Sequence, residues 1–133
     1  MFDIITDSAC DLTPETAATL NIEIIPFYVS LDGEHYRKEG KEIAVRDFYQ
    51  FMVDNPAAYP KPSLPSLEDF ETAFRAHAEA GRPVLCICFT SKMSGCVGSA
   101  RNARELVLED FPDAKIEVID STAATVTESI VVE

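Results

Sequence analysis

The chain has little positive charge. Its 133 residues include 11 Lys and Arg against 23 Asp and Glu, a net charge of −12. A surface this acidic repels nucleic-acid phosphates and anionic membrane surfaces, so no nucleic-acid partner is expected. No apolar run approaches the ~18 residues needed to cross a bilayer, so no stable membrane insertion is expected either. Met1-Phe2-Asp3 lacks the basic region that opens a signal peptide. The four cysteines, Cys10, Cys86, Cys88 and Cys96, show no Cys-x-x-Cys spacing. They read as small core residues of a reducing, cytoplasmic setting, and no metal site is assigned. There is no Gly-x-x-x-x-Gly-Lys phosphate loop and no Gly-x-Ser-x-Gly nucleophile elbow. The two histidines, His35 and His77, have no Ser or Cys close by in sequence, so no catalytic residue is assigned.

What is present suits one domain over residues 1–133, with 47% hydrophobic and 26% charged residues, enough to bury a core. A short strand ends at Asp7-Ser8. Thr13-Pro14-Glu15 opens a helix, with Thr as N-cap and Pro at the first helical position. Residues 23–31 read as a second strand, in which Pro26 marks an edge or a bulge. Asp32-Gly33 signals a hairpin turn and a return strand at 34–37. Residues 45–53 are helical by periodicity, with Phe48, Phe51 and Met52 on one face. Four prolines assign 55–65 to a loop. Ser66 and Asp69 form a capping-box pattern before a helix that ends at Gly81. A strand at 83–89, a helix at 95–109, a strand at 115–119 and a last helix within 122–132 complete the chain. Strands alternating with helices predict an α/β fold, a mostly parallel sheet with helices on both faces. In such sheets ligands gather outside the carboxyl ends of the strands. Three of these ends carry hydroxyls or acids: Thr6-Asp7-Ser8, Thr90-Ser91 and Asp120-Ser121.

The segment Cys86-Ile87-Cys88-Phe89-Thr90-Ser91-Lys92-Met93-Ser94-Gly95 is the most informative. An apolar run stops at hydroxyls and a glycine, and a helical pattern follows. The first N–H groups of a helix lack internal partners and carry the positive end of its dipole, so the turn is a natural seat for a carboxylate or phosphate. Ser91 and Ser94 add hydroxyls there, and Gly95 either allows close backbone approach or merely opens the helix. A plain N-cap at Ser94 is the other reading. Asp7 and Asp120 end strands, where acids can bind a metal or ribose hydroxyls, and capping of loops or helix starts is the favoured reading. The acidic field disfavours a multiply charged ligand and favours one negative group on an apolar body.

Five segments, in order, resemble the DegV family of bacterial fatty-acid-binding proteins. They are Thr6-Asp7-Ser8 with Asp11-Leu12; Asp32-Gly33 with Tyr36-Arg37; the loop Lys61-Pro62-Ser63-Leu64-Pro65-Ser66 before Asp69-Phe70; the turn Thr90-Ser91-Lys92-Met93-Ser94-Gly95-Cys96; and Val118-Ile119-Asp120-Ser121. The resemblance implies a carrier, with no cofactor, that buries a long acyl chain in an apolar tunnel. It holds the carboxylate and presents it to a fatty acid kinase for phospholipid synthesis. It places the carboxylate at the Ser91–Gly95 turn, with Ser94 as its main ligand. A second family ligand, a Thr, falls on Pro62 here and a Gln on Leu64, which leaves Ser63 as the hydroxyl of that loop. Family members carry a second, C-terminal domain, so the chain is expected to correspond to the first alone. Its final helix is then expected to lack packing partners and to fray. A hydrolase using Ser94 or Ser91, and an interaction domain without ligand, are the alternatives.

Overall fold

The computed structural model describes residues 1–133. Four parallel strands form the central sheet: β1 (Asp3–Asp7), β2 (Ile22–Ile25), β6 (Val84–Cys88) and β7 (Ile116–Asp120), in the order β2-β1-β6-β7. The helices α1 (Pro14–Leu20), α2 (Val45–Asp54), α3 (Leu67–Glu79), α4 (Cys96–Asp110) and α5 (Val126–Val132) complete the fold with a three-stranded antiparallel sheet of β3 (Tyr28–Ser30), β4 (Tyr36–Lys38) and β5 (Lys61–Ser63). Period-two alternation sorts the strand side chains. Ile5, Cys86 and Cys88 pack with Phe70, Phe74, Val97, Ala100 and Val107 of α3 and α4. Ile22 and Ile87 pack with Ala17 of α1 and Val132 of α5 on the other face. Helices on both faces are thus as expected.

Local signals set the element ends. Thr13 Oγ1 accepts from the Thr16 N–H, and Pro14 needs no partner at the first helical position. Ser66 and Asp69 form the reciprocal capping box. Asp69 does more than cap, because Lys38 Nζ lies 2.7 Å away and the Tyr28 hydroxyl donates to it at 2.8 Å, tying the small sheet to α3. Burial pulls this carboxyl up, but Lys38, Ser66 and Tyr28 outweigh it and hold it at about 2.

Three expectations are corrected. Residues 23–31 are not one strand. At Pro26 the chain leaves the parallel sheet, and Phe27, whose N–H donates to Ser8 Oγ at 2.9 Å, leads into β3 of the other sheet. Proline cannot donate to a ladder, so the break falls there. Residues 55–65 are not all loop, because β5 pairs antiparallel with β3, Pro62 lying opposite Val29. This strand is a sheet edge, where a missing N–H is tolerated. The last helix lacks partners on one face only, because Val132 is 2% exposed and Glu128 is fully buried while Val126, Ile130 and Val131 stand exposed.

Candidate functional site

The chain order reverses across β1, with β2 on one side and β6 on the other, so the switch point lies at the carboxyl ends of β1 and β6. The three strand ends converge there. Asp7 Oδ2 accepts the Phe89 N–H at 2.7 Å and the Cys96 thiol at 3.3 Å, while Oδ1 accepts the Ala9 N–H at 3.0 Å. One buried carboxyl therefore ties β1, the end of β6 and the first residue of α4. Burial pushes it up to about 6 in spite of these donors. Asp120 accepts the N–H groups of Ser91 at 3.2 Å and Thr122 at 2.9 Å. Both acids are caps, as the sequence indicates. The Thr90 N–H donates to the Ala123 carbonyl at 3.0 Å and the Ser121 N–H to the Cys88 carbonyl at 3.0 Å, which closes the cluster.

Ser94 completes the turn. Its N–H donates to the Thr90 carbonyl at 3.2 Å, and its Oγ accepts from the Cys96 N–H at 3.2 Å. That is the capping role, and it uses the oxygen only. The hydroxyl hydrogen of Ser94 has no acceptor in the chain, and the N–H groups of Gly95, Val97 and Gly98 have no partner either. The 15-residue helix α4 starts at Cys96 with no side-chain cap from Gly95. Four donors thus stand open at the positive end of a long helix. A Cβ added at Gly95 would meet nothing within 4 Å, so the protein's own packing does not require a glycine there. The space in front of this backbone is open.

Ser91 stands differently. Its hydroxyl and amide both face Asp120 and hold that carboxyl below the ordinary carboxylate range. Its donors are engaged, and the Asp120 charge repels a second carboxylate. The free donors of the turn are therefore those on the Ser94–Gly95 side. Ser63 ends the exposed edge strand β5 and makes no hydrogen bond to the turn. Its loop nevertheless lies beside α4, since Ser99 Oγ reaches the Pro65 carbonyl at 3.5 Å. Apolar residues adjoin the turn in the chain at Phe89 and Met93, and Leu64 follows β5. Met93 is 73% exposed and Leu64 38% exposed, and Phe89 meets Phe27 edge-on with ring centroids 6.1 Å apart. None of the five principal cavities is lined by Ser63, Ser91, Ser94 or Gly95. The largest of them, about 530 Å³, lies by Leu12, Ile24, Pro26, Val45 and Tyr49. His35 pairs with Asp32 at 2.7 Å, and His77 Nε2 lies 3.5 Å from Asp3, so neither histidine serves the serines.

One buried group was not signalled by the sequence. Glu128 of α5 is fully buried, and neither of its carboxyl oxygens has a partner, nor has the Thr6 hydroxyl. Burial, reinforced by the negative charge of Asp7, pushes this carboxyl up to about 9.

A doubly wound sheet with an open helix N-terminus at its switch point defines a class of small-ligand-binding α/β domains. The comparisons with known proteins are more particular. Residues 1–133 match the family described as uncharacterised proteins of the DegV family, and the chain belongs to that family. It is 37% identical over 123 residues to a DegV domain-containing protein of Streptococcus pyogenes serotype M1, covering 92% of this chain and 43% of the relative. It is 36% identical over 118 residues to one from Clostridium acetobutylicum, covering 89% and 40%. The solved structure of a stearic-acid-binding protein from Eubacterium ventriosum superimposes with a TM-score of 0.96 at 48% identity, over 98% of this chain and 44% of that one. A fatty-acid-binding DegV family protein from Thermus thermophilus gives 0.78 at 31% identity, over 98% and 44%. The chain thus spans less than half the length of these relatives. No helix is long and apolar enough to cross a membrane.

Proposed function

We propose that this chain binds a long-chain fatty acid as a carrier, with the carboxylate on the Ser94 hydroxyl and the open N–H groups of Gly95, Val97 and Gly98. The observation that carries the reading is Ser94 itself, which caps α4 with its oxygen and keeps its hydrogen free. A carboxylate accepts such donors well, and a charge-assisted bond is roughly twice as strong as a neutral one. The fatty-acid-binding structures that share this fold at 48% and 31% identity support the ligand class. Ser91 contributes by fixing Asp120 on the far side of the turn, and Ser63 borders the site from the β5 loop.

The acyl chain supplies most of the affinity. Each buried methylene contributes ~0.8 kcal/mol, so a sixteen-carbon chain contributes on the order of 10 kcal/mol before ordering costs. Met93, Leu64, Phe89 and Phe27 form one apolar wall. The relatives are more than twice as long as this chain, and we assign the opposite wall of the tunnel to their additional part. A head group held at an exposed turn is open to a second protein, which suits presentation to a fatty acid kinase. A carrier needs no nucleophile–base pair, and neither histidine reaches Ser91 or Ser94.

Ser94→Ala is expected to weaken binding of a sixteen-carbon fatty acid by about 1–2 kcal/mol, roughly 5- to 30-fold in Kd. Gly95→Ala should leave the unfolding midpoint unchanged, since its Cβ meets nothing, yet also weaken binding by filling the space before the donors. Calorimetric titration of both variants checks this. Unchanged affinity in both would remove the head group from the α4 N-terminus.

A further inference from the structure

Directly beneath the turn, on the α3/α4 face of the sheet, lies a second chemical cluster. Asp7, Cys88 and Cys96 are fully buried, and one ligand atom from each lies within 4.8 Å of the others. Cys86, two residues before Cys88 on the same strand face, brings its Sγ to 3.6 Å from that of Cys88. The three thiols come from two elements, the end of β6 and the start of α4, and the carboxylate from the end of β1.

We infer that Asp7, Cys88 and Cys96, with Cys86 beside them, form a buried site for a thiophilic divalent cation of the Zn²⁺ class. The spacing carries the inference. Tetrahedral zinc with Zn–S of about 2.3 Å and Zn–O of about 2.0–2.2 Å places neighbouring sulfurs about 3.8 Å apart and a sulfur about 3.5 Å from a carboxylate oxygen. Within the set of three, Cys96 and Asp7 stand 3.3 Å apart and every ligand atom lies within 4.8 Å of the others, while Cys86 approaches Cys88 to 3.6 Å from beside the set. The carboxylate is already oriented by the N–H groups of Ala9 and Phe89, the outer-shell support that ligating carboxylates use. Thiolates select a soft ion over Mg²⁺ or Ca²⁺. The net charge of −12 favours cation uptake. In the metal-free chain the same groups hydrogen-bond one another as thiols. Binding through Cys88, Cys96 and Asp7 replaces the two S–H protons by the metal and releases both to solvent; engaging Cys86 releases a third.

The consequence reaches the turn above. Cys96 gives its N–H to Ser94, so a cation on its sulfur fixes the first residue of α4 beneath the turn, with no gain of net charge there because two protons leave as the dication enters.

The test uses the full chain. It is unfolded with chelator, freed of metal and refolded with Co²⁺. The expected result is one Co²⁺ per chain, with sulfur-to-cobalt charge-transfer absorption that Zn²⁺ abolishes by displacement. Cys88→Ala and Cys96→Ala should lose the band, while Cys10→Ala, which lies outside the cluster, should keep it. Core substitutions can prevent folding, so circular dichroism accompanies each variant and the wild-type stoichiometry decides on its own. A folded wild-type chain that takes up less than one-tenth of an equivalent, and whose unfolding midpoint does not move in excess Zn²⁺, overturns the site. So does a band that survives in folded Cys88→Ala, or one that disappears in folded Cys10→Ala.

Discussion

Replacing Asp7 by alanine is expected to destabilise the chain by about 3 kcal/mol, the largest effect of any single change at the strand ends. Its carboxyl accepts the N–H groups of Phe89 and Ala9 and the thiol of Cys96, all in a region closed to water. Each buried donor left without an acceptor costs about 1–3 kcal/mol, and the truncated side chain also leaves a void. Phe89 lies 82 residues along the chain from Asp7 and Cys96 lies 89, so the loss removes long-range ties from the end of β1 to the end of β6 and to α4, leaving the β1–β6 backbone ladder. Asp7→Asn keeps one acceptor oxygen but turns an N–H₂ group toward the remaining donors, and should fall between wild type and alanine. Urea unfolding checks the order. A change below about 0.5 kcal/mol for Asp7→Ala would mean that backbone pairing alone holds the switch point together.

Glu128→Gln is expected to stabilise the chain, and increasingly so as pH rises. Burial, with help from the Asp7 charge, raises the Glu128 carboxyl from 4.5 to about 9 in the folded chain. The folded chain then holds a proton that the unfolded chain gives up. The sign follows: the contribution of this group is fully present below pH 4.5, shrinks as pH rises, and is lost on passing about 9. Besides Asp7, Asp11 faces it with charge that opposes its ionisation, as does Cys88 whenever its thiol is ionised. Glutamine has the shape of the protonated acid and nothing to ionise. The variant and wild type should differ by less than about 1 kcal/mol at pH 5 and by several kcal/mol at pH 8.5, up to about 5 for a carboxyl moved from 4.5 to about 9. Urea midpoints at pH 5, 7 and 8.5 read this directly. Parallel pH profiles would show that the carboxyl reaches water. Because Glu128 lies on α5, that helix should detach before the rest at high pH.

The legible parts of this fold were those written in a few consecutive residues. Thr13-Pro14, the Ser66/Asp69 capping box and the abrupt stop of the 84–89 apolar run each carry their own physics, and each marks an element end in the structure. The break at Pro26 was half legible. Proline announced an irregularity, but the choice of separate sheets for β2 and β3 depends on partners far along the chain. The strand at Lys61–Ser63 was hidden by the prolines around it, because an edge strand makes weak demands on sequence. At the site, Ser94 and Gly95 were visible from the turn alone. The engagement of Ser91 by Asp120 was not, since the two lie 29 residues apart. Glu128 sits in a short, otherwise mixed helix, where an acid ordinarily faces water, and nothing local distinguishes it.

The head-group position is tested most directly by adding carboxyl-¹³C palmitate to the ¹⁵N-labelled chain and following amide and carboxyl shifts by NMR. The expected result is that the amides of Gly95, Val97 and Gly98 move together and that the carboxyl titrates below its free value, losing that shift in Ser94→Ala. If those amides stay fixed while residues around Leu12, Ile24 and Tyr49 move, the ligand occupies the 530 Å³ cavity beside β2, and the start of α4 is only a well-made helix cap.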